Sequence, residues 1–206
     1  MRVLMIAPPG AGKGTQGGRI AAHFGVPHLA TGDLLRRHVA LGTPLGRRVQ
    51  RHLDRGSLVP DLLMQDLVRG SLADATAAGV GYVLDGYPRT ATQAWAAYQI
   101  AASIGATAHV ALHLRTDDDE VVRRLLARAG TEHRSDDTEP VIRRRLALYH
   151  RVTEPILDWY HRRGILLSVD GMPGADHVTS TVVAALEAMR ARRHVEPPGP
   201  VPALAA

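Results

Sequence analysis

Short apolar runs alternate with longer stretches in which apolar residues recur every three or four positions, and the rhythm holds to about residue 193. The first run, residues 2–7 (RVLMIA), stops at Pro8-Pro9-Gly10 and predicts a buried strand. Residues 82–84, 109–114 and 165–169 have the length and composition of interior parallel strands, with 28–30 a weaker candidate. Helical spacing runs through residues 13–24, 61–78, 90–104, 117–129, 140–163 and 175–193. Gly17 and Gly18 weaken the first of these by about 1 kcal/mol each relative to alanine. Strands alternating with helices predict an α/β fold with a parallel sheet and right-handed crossovers.

Two segments break the rhythm. Residues 31–60 are polar and helical, punctuated by Gly32, Gly42, Gly46 and Gly56, with no strand pattern; residues 130–137 (GTEHRSDD) form a charged loop. Both are expected to leave the sheet's edge, where ligand-binding loops sit. Residues 195–206 carry four prolines and little periodicity, which predicts a disordered tail. The remaining residues, 1–194, are expected to form a single domain.

Composition narrows the class. A chain of 206 residues, 45% hydrophobic and 22% charged, can bury a single core and is not globally disordered. The absence of cysteine excludes a disulfide framework, a thiolate zinc site and a cysteine nucleophile. No apolar run approaches the roughly 20 residues of a membrane span. The apolar start ends too early, at Pro8-Pro9-Gly10, for a secretory leader, so a cytoplasmic protein is expected. A net charge of +5 suits an anionic ligand. One phenylalanine and no interleaving of aromatic with basic residues argue against a nucleic-acid stacking surface. The eleven histidines show no metal-ligand spacing and read as surface or core filler. Lys13 is the only lysine; every other basic residue is arginine, which marks position 13 as one where arginine does not substitute.

Lys13 lies in a glycine-rich loop between the first strand and the first helix, Ala7-Pro-Pro-Gly-Ala-Gly-Lys-Gly-Thr-Gln16. Glycines there let backbone N–H groups converge on phosphate oxygens, the helix N-terminus favours negative charge, and a lysine reaches the outer phosphates. The strict phosphate-loop pattern fails at Ala7 and Gly14, yet the strand–loop–helix context predicts a phosphate site. Switches, motors and kinases share such a loop. Further along, Asp85-Gly86-Tyr87-Pro88-Arg89 follows a predicted strand, at the edge where open α/β sheets bind ligands. Asp85 could hold Mg²⁺ through water there and Arg89 could clamp a phosphate, although Asp-Gly alone is more often a simple turn.

These motifs, with Thr31-Gly32-Asp33-Leu34-Leu35-Arg36, Gly56-Ser57-Leu58-Val59-Pro60-Asp61, Gln93, Arg134-Ser135-Asp136-Asp137 and Arg145, resemble the adenylate kinase family of nucleoside monophosphate kinases. The resemblance implies a three-layer, phosphate-loop fold with a five-stranded parallel sheet, a helical monophosphate-binding insertion at 31–60 and a short lid at about 129–137. It implies that Gly10, Ala11, Gly12, Lys13, Gly14 and Thr15 cradle the ATP phosphates, with Arg124, Arg128 and Pro173 on the ATP side. Arg36 and Arg89 would clamp the acceptor phosphate. Thr31, Ser57, Leu58, Val59, Gly86, Tyr87, Pro88 and Gln93 would line the AMP pocket. Arg134 and Arg145 would surround the transferring phosphoryl group, with Lys13 and Arg89 completing the catalytic set. Asp136 and Asp137 would orient lid arginines.

The implied reaction is reversible, Mg²⁺-dependent transfer from ATP to AMP, by a monomer without zinc, nucleic acid or membrane. A kinase for UMP or CMP, or a non-catalytic nucleotide sensor, are the alternatives. Of the run Arg143–Arg145 only Arg145 fits the motif spacing; its neighbours read as a solvated helix face. Ala30 stands where the family usually has serine, and Ala7 where it usually has glycine.

Overall fold

The computed structural model describes residues 1–132 and 138–193, with side chains for 1–129 and 138–192. Along the chain run β1 (Arg2–Ile6), α1 (Lys13–Phe24), β2 (His28–Ala30), α2 (Thr31–Ala40), α3 (Pro44–Asp54), α4 (Asp61–Ala77), β3 (Tyr82–Asp85) and α5 (Ala91–Ser103). Then follow β4 (Val110–Arg115), α6 (Asp118–Glu132), α7 (Glu139–Leu148), a π-helical turn (Tyr149–Thr153), α8 (Ile156–Arg162), β5 (Leu166–Asp170) and α9 (Ala175–Arg193). The strands form one five-stranded sheet in the order β2-β3-β1-β4-β5, and every pair is parallel.

Strand β1 shows why the sheet is covered on both sides. Val3 and Met5 join α1 and α9 through Ile20, Val178 and Val182. Leu4 and Ile6 face the opposite cluster, where Val68, Leu72, Ile100 and Trp159 come from α4, α5 and α8. An apolar residue at every position is what two buried faces require. Val121 and Leu125 of α6 meet Ile142 and Leu146 of α7 in a third, smaller cluster.

Local signals set several helix ends. Thr43 caps α3 by accepting from Gly46 N at 3.0 Å with Pro44 at the first helical position, and Thr90 caps α5 by accepting from Gln93 N at 3.1 Å. Ala30 occupies the N-cap of α2 and offers no side-chain cap. The chain leaves β1 toward β3 and β2 on one side and toward β4 and β5 on the other. The glycine-rich loop therefore sits at the switch point of the sheet, on its C-terminal edge.

Two expectations are corrected. The helix expected over 140–163 is interrupted: α7 gives way to the π-helical turn, and α8 begins only after Pro155. Pro155 has no N–H to donate, and its ring would clash with the carbonyl of Arg151 in a continuous helix. The turn admits one extra residue, with Glu154 N donating to Tyr149 O at 2.9 Å. In the loop expected over 130–137, residues up to Glu132 belong to α6. The rest of that loop and the tail at 195–206 lie outside the described residues. No described helix is long and apolar enough to cross a membrane.

Candidate active site

A cleft of about 1020 Å³ opens along the C-terminal edge of the sheet. Its floor is the glycine-rich loop, with Gly10, Ala11, Gly12, Lys13, Gly14 and Thr15 all on its wall. Gly10, at φ +81°, is needed twice over: a Cβ there would lie in the left-handed region and 2.7 Å from Leu125 Cγ. Helix α6 therefore packs directly against the loop. Gly12, at φ +85°, turns the chain into α1, whose first turn holds no acidic residue. The positive end of the helix thus faces the cleft with no carboxylate in its own first turn.

Lys13 Nζ folds back over this loop and donates to Ala7 O at 2.9 Å and Pro8 O at 2.7 Å. Burial pushes its ammonium down to about 8; the Asp85 carboxylate works against that shift, and Arg89, Arg145 and Arg128 add to it. At neutral pH the group remains mostly charged, in a cleft already rich in positive charge. An anion with several negative oxygens would relieve that repulsion.

The loop after β3 forms the neighbouring wall. Thr31 Oγ1 donates to Asp85 O at 2.9 Å, joining the start of α2 to the end of β3. Gly86, at φ +86°, packs so closely that a Cβ would lie 2.6 Å from Thr31 Oγ1. Arg89 Nε donates to Gly86 O at 2.7 Å, and Arg36 Nη2 donates to Asp33 Oδ1 at 2.5 Å. Arg36, Leu58, Asp85, Gly86, Pro88 and Arg89 all line the cleft.

Five residues assigned to the AMP pocket are not on the wall of this cleft: Thr31, Ser57, Val59, Tyr87 and Gln93. Val59 and Tyr87 belong to the core, and Ser57 N is tied to His52 O at 2.9 Å. Gln93 is only 2% exposed. Its Oε1 accepts from Arg89 N and its Nε2 donates to Asp61 Oδ1, each at 2.8 Å.

On the other side, Arg124 Nη1 and Nη2 donate to Gly171 O and Met172 O, each at 3.1 Å, while its Nε donates to Glu120 Oε1 at 2.7 Å. Hydrogen bonds from Arg123 and Arg124 hold the Glu120 carboxyl down at about 2. This clamp joins α6 to the loop after β5 and puts Pro173 on the cleft wall with Arg124, Arg128 and Arg145. Arg134, Asp136 and Asp137 lie outside the described residues.

The structure also brings in groups that sequence reasoning left without a role. His28 lines the cleft; its Nε2 is buried without a hydrogen-bond partner and lies 4.0 Å from Asp85 Oδ2. Its ring packs on Gly17, where a Cβ would come within 2.4 Å. His113, beneath the loop, meets Tyr149 Oη through Nε2 at 3.1 Å, and burial pushes its imidazole pKa down. Thr153 reaches the cleft from the π-helical turn and donates to Arg89 O at 2.9 Å. Gln16 Nε2 donates to Ala175 O at 2.9 Å, fastening α1 to α9. Of these, only Gln16 had a signal in the sequence, as the last residue of the loop motif.

Among the described residues no group of three or more His, Asp or Glu side chains is placed to hold a metal ion. Among the described residues, Asp85 is the carboxylate that acts on Lys13, while Asp33 and Glu120, also on the cleft wall, are paired with Arg36 and with Arg123 and Arg124. A single outer carboxylate fits Mg²⁺, which keeps most of its waters and binds chiefly through substrate phosphates.

A model of the adenylate kinase family matches residues 5–165. The chain is 47% identical over 186 residues to an adenylate kinase of Kocuria rhizophila, covering 90% of this chain and 98% of that relative. It is 42% identical over 187 residues to one of Thermobifida fusca, covering 91% and 98%. An adenylate kinase of Thermus thermophilus is 45% identical over 184 residues, covering 89% and 96%.

Proposed function

This chain belongs to the adenylate kinase family, and from that premise we propose which of its residues carry the transfer of a phosphoryl group between ATP and AMP. Its activity is that of a phosphotransferase with a phosphate group as acceptor. The observation that carries the assignment of residues is the meeting of Lys13, Arg36, Arg89, Arg128 and Arg145 with the N-terminus of α1 in one cleft. At about 1020 Å³ the cleft is at the upper end of single-ligand pockets, which suits two nucleotides meeting at their phosphates.

Phosphoryl transfer passes through a loose transition state with charge spread over the equatorial oxygens, so positioning and electrostatics supply the catalysis. Gly10 to Thr15 hold the ATP phosphates by backbone N–H groups, and Lys13 exchanges its carbonyl partners for phosphate oxygens. Arg36 and Arg89 hold the acceptor phosphate, while Arg145, with Arg134 and Arg128, neutralises the group in flight. The Arg124 clamp holds the segment around Pro173 against the adenine of ATP. Asp85 would hold Mg²⁺ through water, and the ion bound with ATP would supply neutralising charge to its phosphates.

Residues 31–60 cover the monophosphate and the segment around 129–137 closes over ATP, excluding water. Residues 1–194 act as one domain and 195–206 as a dispensable tail. The reading includes a cytoplasmic monomer whose partners are its two nucleotides, without nucleic acid or membrane. Gln93 would meet the adenine of AMP. Each end of its carboxamide keeps one hydrogen-bonding position beyond those used by Asp61 and Arg89.

A coupled assay with Mg-ATP and a panel of AMP, GMP, CMP and UMP tests this reading. AMP should give the highest kcat/KM. A higher value for UMP or CMP would overturn the acceptor assignment.

A further inference from the structure

Two consecutive arginines of α7 grip two consecutive residues at the end of α3. Arg144 Nη1 donates to Arg55 O at 3.1 Å, and Arg55 is the C-cap of that helix. The last carbonyls of a helix lack internal partners and carry partial negative charge, so a guanidinium is well placed there. One residue further, Gly56 lies under the stem of Arg145. A Cβ on Gly56 would come within 2.7 Å of Arg145 Cγ, 3.1 Å of Arg145 Cδ and 3.0 Å of Val141 Cγ1. Gly56 also has φ +62°, where an L side chain is strained. Arg143 behaves differently: it pairs with Glu139 within its own helix. The run Arg143–Arg145 is therefore not one solvated face, and Arg144 is committed to a second element.

We propose that Gly56 and Arg144 are positioning residues for phosphoryl transfer, acting through Arg145. Arg145 lines the cleft, and its stem runs over the Gly56 backbone. Contact with a bare glycine backbone on one side and anchorage of the adjacent arginine on the other restrict the direction in which its guanidinium enters. The same contacts tie α7 to the end of the acceptor-side segment, so the direction of Arg145 depends on how that segment is seated. The proposal rests on the assignment of Arg145 to the transfer site.

The test is steady-state kinetics and thermal melting on Gly56→Ala, Arg144→Ala, Arg144→Lys, Arg145→Ala and the doubles of the first two with Arg145→Ala. Misplacing a reacting group by about 1 Å costs on the order of 100-fold. Gly56→Ala should lower kcat about 10- to 100-fold, with KM for both nucleotides within about twofold of wild type. In the Arg145→Ala background the same substitution should change kcat less than about twofold, because its effect passes through the missing side chain. Arg144→Ala should behave in the same way with a smaller loss, and Arg144→Lys, which keeps a donor, should recover most of it. Should Gly56→Ala not fold, the Arg144 variants and their double carry the test. Equal losses with and without Arg145 would overturn the proposal, as would unchanged kcat in both Gly56→Ala and Arg144→Ala while Arg145→Ala is crippled. Full turnover in Arg145→Ala would instead remove the transfer-site assignment, and this proposal with it.

Discussion

The Thr153 hydroxyl donates to the Arg89 carbonyl at 2.9 Å, tying the π-helical turn to the segment that carries an arginine of the cleft. Thr153 is 7% exposed, while Arg89 is exposed at the cleft, so the bond is partly buried. Thr153→Val keeps the shape and removes the donor. It should lower stability by about 1 kcal/mol, read as a fall in melting temperature. If Arg89 clamps the acceptor phosphate, KM for AMP should rise while KM for ATP stays near its wild-type value. A rise in both would show that the turn supports the whole cleft.

The phosphate-loop assignment turns most directly on Lys13. Lys13→Met should lower kcat by at least 10²- to 10³-fold, the scale for losing one preorganised charge at the transition state. Normal turnover by the folded variant would end the phosphate-loop assignment.

The same lysine gives a pH signature. Its folded pKa, about 8, lies below the ordinary value of 10.5. Through the window between them the unfolded chain binds more protons, so the contribution of Lys13 to stability is unfavourable below pH 8 and is relieved as pH rises toward 10.5. Activity should move the other way, with kcat/KM falling as pH passes about 8 and the free enzyme loses the charge. Bound phosphate favours the ammonium, so kcat should fall only at higher pH. Melting curves of wild type and Lys13→Met from pH 7 to 10 check the first statement, with the stability advantage of the variant shrinking as pH rises. A pH–rate profile checks the second.

Gln93→Ala should act on stability and specificity together. It strands the Asp61 carboxylate and the Arg89 N–H, both of which Gln93 now satisfies, at a cost of about 1–3 kcal/mol. If the carboxamide also reads adenine, KM for AMP should rise and its lead over GMP, CMP and UMP narrow by about 5- to 150-fold, the range of a bidentate base contact. A lower melting temperature with unchanged acceptor preference would assign Gln93 to structure alone.

Ala30 stands at the N-cap of α2 without a capping side chain. Ala30→Ser restores an acceptor for the first-turn N–H groups and should stabilise the protein by about 0.5–2 kcal/mol. The melting temperature should rise with kcat and KM within about twofold. No rise would show that a serine here finds another partner.

The elements legible in the sequence were those set by neighbours along the chain. The buried strands announce themselves as apolar runs because both faces of the sheet are covered, and Lys13 stands out as the only lysine in a glycine-rich loop. The bounds of α1, β2 and α9 match their periodicity and flanking residues. The break at residues 149–155 was hidden, because a π-helical turn inserts one residue without removing the helical spacing of apolar side chains around it. Pro155 was the visible warning.

What joins the site depends on pairs remote in sequence and adjacent in space. Gln93 and Asp61 are 32 positions apart, Thr31 and Asp85 are 54 apart, and Arg144 and Arg55 are 89 apart. Each residue alone has an ordinary local reading: a polar helix position, a helix start, a solvated arginine. His28 reads only as part of a short weak strand until pairing β2 with β3 sets it near Asp85. Local pattern determines which segments become strands, helices and the phosphate loop, because apolar periodicity and backbone freedom act over a few residues. The partners of each polar side chain were decided by the tertiary structure, since strand order and helix packing select which distant donors and acceptors meet out of water.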